Sequence, residues 1–157
     1  MHEIMLFTDG SVNIQSKIGY GAYLAVFDPE LSLESLKKNI KVKQFEHTSS
    51  TRLELQTLLW ALGDIQTLGC HVLVHTDSQN IIGLPGRRER LEKSEYHSKN
   101  NKRLNNYELY EDFYRISDQI DFELVKLRGH QATSKKNEID RIFTLVDRAS
   151  RNAQRNE

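Results

Sequence analysis

Two short stretches end alike. Leu6–Ser11 reads LFTDGS and Val74–Gln79 reads VHTDSQ. In each, an apolar run stops at Thr-Asp and meets small polar residues. One such aspartate is ordinary turn chemistry. Two raise another reading. If the strands are parallel neighbours, Asp9 and Asp77 meet, and converging carboxylates stay ionised together only around a cation. Oxygen-only ligands suit a hard ion such as Mg²⁺. Further carboxylates belong near such a site. Glu54 starts a long helix, and Asp147 borders the core face of the last one.

The elements that must position these residues follow from periodicity. EIMLFTD, GYGAYLAVFD and IKVKQFEH read as three strands on short connections, an antiparallel meander. Pro29 ends the second, and DPELSLESLKKN is a polar connection. TRLELQTLLWALGDIQTLG carries a helical stripe of Leu55, Leu58, Leu59, Leu62 and Ile65, with Ser50 or Thr51 as N-cap and Gly69 as stop. HVLVHTD is a fourth, buried strand. SQNIIGL begins a helix ended by Pro85, and the charged GRRERLEKSEYHSKNNKR shows no clear apolar face. NYELYEDFYRISDQI is a helix, DFELVKL a fifth strand, GHQATSKKN a loop, and EIDRIFTLVDRASRNA a closing helix. Strands joined through helices pair in parallel, and sites in such sheets gather at the strands' carboxyl ends.

Taken in order, FTDGS, GYGAYL, TRLELQTLLWAL, TDSQ, VKLRGH and VDRASRNA make the sequence resemble the ribonuclease H family, specifically its bacterial type 1 enzymes. The resemblance runs almost end to end. It implies one domain over residues 1–157 with an α/β ribonuclease H-like fold: a five-stranded mixed sheet of order 3-2-1-4-5 flanked by helices. It implies an endonuclease that cuts the RNA strand of an RNA–DNA hybrid, leaving 5′-phosphate and 3′-hydroxyl ends. Asp9, Glu54, Asp77 and Asp147 would hold two Mg²⁺ ions, with Mn²⁺ able to substitute. Asp9 would bridge both, Glu54 and Asp77 would serve one side and Asp147 the other. In two-metal sites the ions lie about 3.5–4 Å apart and act on the attacking water and the leaving oxygen. By the same resemblance His130 helps proton transfer or product release, and Ser11, Ser49, Ser50, Thr51, Arg52, Gln79 and Asn106 fall where the family touches its substrate. Ser49 and Asn106 match a DNA-phosphate pocket.

The chain departs from the family in places. VNIQSKI stands where Gly-Asn-Pro-Gly is common. Ser50 and Thr51 replace two asparagines, and Ser49 replaces a threonine. The basic handle is short and lacks Trp, though Arg87–Arg103 keeps 7 bases against 3 acids. In the closing helix Asp140 competes with Asp147 as the fourth carboxylate. The family's Asp followed by an Arg four positions on favours Asp147, with Arg151, and leaves Asp140 as a first-turn acid. Each residue also has a plain structural role open to it: Asp9 as a turn residue, Asp77 as an N-cap, Glu54 as a first-turn acid and His130 as an exposed loop side chain.

Composition narrows the alternatives. The 157 residues carry 22 bases and 22 acids, so tight non-specific nucleic-acid binding is disfavoured, while an acidic first half and two basic later segments leave room for local patches. Cys70 is the only cysteine, which excludes an intrachain disulfide. No apolar run approaches the roughly 18 residues that span a bilayer, and the N-terminus lacks a secretory stretch. A cytoplasmic monomer with no membrane and no obligate protein partner is the expectation. The alternative function is a catalytically weak hybrid-binding module of the same fold. Four clustered carboxylates beside phosphates argue against it, since a binder gains nothing from them.

Overall fold

The computed structural model describes residues 3–28, 30–127 and 137–156, the side chain of Thr67 excepted. Its first strand, β1 (Glu3–Asn13), pairs antiparallel with β2 (Ile18–Val26), which pairs antiparallel with β3 (Lys41–Phe45). On its other side β1 runs parallel to β4 (His71–Thr76), and β4 runs parallel to β5 (Phe122–Lys126). The sheet order is therefore β3-β2-β1-β4-β5, the mixed sheet expected.

Helix α2 (Ser50–Ile65) and α5 (Tyr107–Ser117) cover one face, burying Leu55, Leu58, Leu62, Leu109 and Phe113 with Leu6, Val72 and Val74. Helix α6 (Glu138–Arg155) covers the other, where Ile142 and Val146 pack on Phe7, Ala22 and Leu24. The apolar side chains at helical spacing are thus the ones that hold each helix to the sheet, the main favourable term in the fold. The GYGAYL stretch lets α2 sit close. A Cβ added to Gly21 would lie 2.1 Å from Thr57 Oγ1, and one added to Gly10 would lie 2.8 Å from Leu53 Cδ2. A larger residue at Gly21 would press on Thr57, and so on α2.

Several boundaries differ from the sequence reading. Strand β1 does not stop at Asp9 but continues to Asn13, because its antiparallel ladder with β2 outlasts its parallel ladder with β4. The polar connection contains α1 (Leu33–Lys37), capped by Ser32 and anchored by buried Leu36. The N-cap of α2 is Ser49, whose Oγ accepts from Arg52 N at 3.3 Å, and not Ser50 or Thr51. Pro85 ends no helix. It stands in the first turn of α4 (Leu84–Lys93), just after the one-turn α3 (Gln79–Ile82), where a missing N–H costs nothing. Leu84 and Leu91 give the charged segment the small apolar face that its composition hid.

Candidate active site

The site lies where the parallel ladders end. Phe7 and His75 are the last Cα partners between β1 and β4, and their rings stack at 4.8 Å. Asp9 and Asp77 each stand two residues further on. Side chains alternate faces along a strand, so Asp9 continues the α6-facing row of Phe7. His75 beneath is buried, and that burial pushes its pKa down, keeping the ring neutral. Asp147 comes down from the middle of α6, and Glu54 reaches in from the second turn of α2. The first turn of α2 holds no acid, so a dipole role for Glu54 is not what the helix offers.

These four carboxylates line one open cleft of about 590 Å³ together with Gly10, Ser11, Val12, Ser50, Arg151, Gln154 and Arg155. Asp9 has the most perturbed acid. Its pKa is pushed up to about 8, first by burial, then by a hydrogen bond shared with Asp147, then by the charge of Asp77, against a smaller opposing effect of the Gly10 backbone. Burial also raises Glu54, with help from the charge of Asp77. Ser78 opposes this by donating to Glu54 Oε2 at 2.5 Å. Ser78 is at the same time the N-cap of α3, accepting from Ile81 N at 3.2 Å, so the cap beside Asp77 is Ser78 and not Asp77 itself. Asp147 accepts from Arg151 Nε at 3.0 Å. Asp140 lies at the start of α6 in a capping box with Asn137.

This donor set is all oxygen, and its acids hold Asp9 protonated by mutual repulsion and burial. A hard divalent cation relieves both, so the residues fit such an ion. No three His, Cys, Asp or Glu groups among the described residues already stand drawn together in ligand geometry. The carboxylates share the cleft without yet closing on one point.

The other residues singled out from sequence form two groups. Ser11 and Ser50 line the cleft. Thr51 and Gln79 are exposed at the starts of α2 and α3. Ser49 is taken up as the α2 cap. Arg52 reaches from α2 to the start of α5, donating from Nη1 to Asn106 Oδ1 at 3.4 Å and to Glu108 Oε1 at 2.9 Å. Bonding to its own backbone and to Arg52 holds the Glu108 carboxyl below its usual range. So Arg52 and Asn106 are brought together, with an acid already on the arginine. His130 lies outside the described residues. Ser78, Gln154 and Arg155 were not singled out. Ser78 hid in the Thr-Asp-Ser turn, and the last turn of α6 carries no motif, only its one-face spacing from Asp147.

A family model described as RNase H matches residues 1–152. A protein named Ribonuclease H from Acetivibrio thermocellus is 24% identical over 147 residues, covering 92% of this chain and 94% of the relative. One of the same name from Thermoanaerobacter sp. is 25% identical over 155 residues, covering 98% and 94%. Among solved structures, the PFV RNase H domain superposes with a TM-score of 0.69 at 17% identity, covering 95% of this chain and 92% of that one. A foamy viral protease-reverse transcriptase solved in complex with dsDNA gives 0.65 at 12%, covering 94% and 92%. At these identities the structural matches speak for the fold.

Proposed function

The chain belongs to the RNase H family and is a ribonuclease H endonuclease, and from that premise we propose how it works. It hydrolyses the RNA strand of an RNA–DNA hybrid, leaving 5′-phosphate and 3′-hydroxyl ends. It acts with two divalent ions, Mg²⁺ or in its place Mn²⁺, and as a monomer. The observation that carries this reading is the cleft that Asp9, Glu54, Asp77 and Asp147 line together, with Asp9 pushed up to about 8 by its burial and its acidic neighbours.

Asp9, Glu54, Asp77 and Asp147 would hold the ions. When bound, these supply electrostatic stabilisation to the in-line attack of water on a phosphodiester and to the departing oxygen. The chain's own residues do the rest. Asp9 must give up its proton before it can bind a cation. Ser78 turns Glu54 toward Asp77 and favours its ionised form. Arg151 orients Asp147 from one turn away. Ser11 and Ser50, beside the carboxylates, can bond to the 2′-hydroxyl that distinguishes RNA from DNA.

The test is cleavage of labelled RNA–DNA hybrid, double-stranded RNA and double-stranded DNA, each with Mg²⁺ and with excess EDTA. Cutting of the RNA strand of the hybrid alone, and only with the cation, is expected. Cutting in EDTA, or equal cutting of double-stranded DNA, would overturn the reading. Tight binding of hybrid without turnover would mark a binding module instead.

A further inference from the structure

The cleft has a second wall that the carboxylates do not explain. Beyond Asp147, α6 runs on for two turns past the site. Asp147, Arg151 and Arg155 follow one another at four-residue spacing, so they form a single stripe along the helix. All three line the cleft. Arg151 is engaged by Asp147. Arg155, one turn further, is exposed and has no ion-pair partner among the described residues. The last turn is also held in place from below, because Ser11 Oγ donates to Gln154 Oε1. Ser11 lies on β1 two residues past Asp9, so this bond ties the end of α6 to the strand that forms the cleft floor.

We propose that Arg155 binds a backbone phosphate of the strand being cut, beyond the scissile one, and so sets where that strand lies in the cleft. This rests on the nuclease reading above. A floor of four carboxylates repels an incoming phosphodiester chain, and cations along the rim of such a cleft are what draw it in. Eight residues of helix separate Asp147 from Arg155, about 12 Å, so the phosphate that Arg155 meets lies beyond the one at the carboxylates. The strand is the one being cut because Arg155 and the carboxylates line one continuous cleft. Arginine suits the task, since its fork meets phosphate oxygens in pairs. A cation in a last helical turn also offsets the helix dipole. That role would affect stability and leave substrate affinity untouched, so the two are separable.

The experiment compares the unsubstituted protein with Arg155→Gln and Arg155→Lys. KM and kcat on a hybrid, hybrid affinity by fluorescence anisotropy across a salt series, and thermal melting are all measured. Arg155→Gln is expected to raise KM roughly fivefold, the effect of removing one exposed charge-assisted hydrogen bond, with kcat within about twofold. The slope of log affinity against log salt should become shallower by about one, as one phosphate fewer is neutralised. Arg155→Lys should recover most of the affinity. A neutral methylphosphonate placed at successive positions of the RNA strand, and in a second series of the DNA strand, should weaken binding to the unsubstituted protein at one RNA position beyond the cut. It should cost nothing further there in Arg155→Gln. An unchanged KM and salt slope with a lowered melting temperature would reduce Arg155 to a helix-end role. Coupling to the DNA strand would overturn the assignment of strand. Anisotropy gives the slope without turnover, so a protein that fails to cut hybrid sinks the nuclease reading separately from this one.

Discussion

Asp9 of the first strand and Asp147 of the last helix lie within hydrogen-bonding reach of one another, a contact that favours the protonated form of Asp9. Together with burial and the charge of Asp77, this pushes Asp9 from the usual 3.8 up to about 8. Between those values the folded chain holds a proton that the unfolded chain has lost. Stability contributed by Asp9 therefore falls as pH rises from about 4 to about 8. Without divalent cation, the melting temperature of Asp9→Asn should gain on that of the unsubstituted protein between pH 5 and pH 8, because the amide cannot ionise. Melting curves in EDTA at the two pH values test this, and parallel behaviour of the two proteins would exclude the raised Asp9 pKa.

The same substitution should abolish turnover while sparing affinity. Asparagine keeps the shape of Asp9 but cannot ionise, so it adds no negative charge to the cleft floor under conditions where Asp9 would lose its proton, and phosphate is not repelled more. Losing a catalytic term of several kcal/mol lowers kcat by more than about 100-fold. Single-turnover cleavage and hybrid binding, measured side by side in Mg²⁺, should part, the one lost and the other kept. Turnover above about one per cent of the original would speak against Asp9 as a metal ligand.

Two aspartates on α6 now separate cleanly. Asp147 lines the cleft, and Asp140 closes the capping box with Asn137 at the helix start. Asp147→Asn should cut turnover strongly at low Mg²⁺, with partial recovery at high Mn²⁺. Asp140→Asn keeps an oxygen for the Asn137 N–H and should cost no more than a few tenths of a kcal/mol, about the worth of a first-turn charge. Cleavage across a metal titration distinguishes them.

Much of this was legible because it rests on local chemistry. Strand alternation, the Leu55–Ile65 stripe and the Ile142 and Val146 face are written in residue spacing, and spacing decides which side is buried. The convergence of Asp9 and Asp77 was legible too, once their strands were parallel neighbours. What escaped depends on partners distant in sequence. Nothing local says that β1 continues past Asp9, because its extra residues are held by β2. Nothing near Ser78 announces that its hydroxyl will meet Glu54, 24 residues back. The end of α6 reaches the cleft only because the helix lies along β1.

Ser78 therefore carries a prediction of its own. Its hydroxyl caps α3 and donates to Glu54. Ser78→Ala removes both bonds. Without the cap, stability should fall by about 1 kcal/mol. Without the donor, the one influence that lowers the Glu54 pKa is gone, so Glu54 takes up a proton more readily and competes less well for cation. The Mg²⁺ concentration for half-maximal cleavage should rise, and more so at pH 6 than at pH 8, because protonation of Glu54 is favoured at low pH. Ser78→Thr should restore both properties. A Mg²⁺ requirement unchanged at either pH would leave Ser78 as a cap alone.

The last prediction concerns the basic segment, where composition alone suggests that Arg87, Arg88 and Arg90 act together on the hybrid. Helix α4 instead turns two of them inward. Arg87 Nη2 donates to the backbone and side-chain oxygens of Asn80, each at 2.9 Å. Arg88 makes a two-pronged pair with Asp118 at 2.7 and 2.8 Å, bonds Glu92 at 3.2 Å and lies over the Tyr114 ring at 5.3 Å. These arginines tie α4 to α3 and α5. Arg90 and Lys93 are exposed, as is Lys102 in the segment that follows. Neutralising Arg90, Lys93 and Lys102 together should weaken hybrid binding and flatten its salt dependence by about one unit of slope for each phosphate no longer neutralised. Arg88→Gln should instead lower the melting temperature and leave the slope alone. Should Arg88→Gln flatten the slope while the triple variant does not, the arginine must leave Asp118 to meet the hybrid, and α4 would present its other face to the substrate.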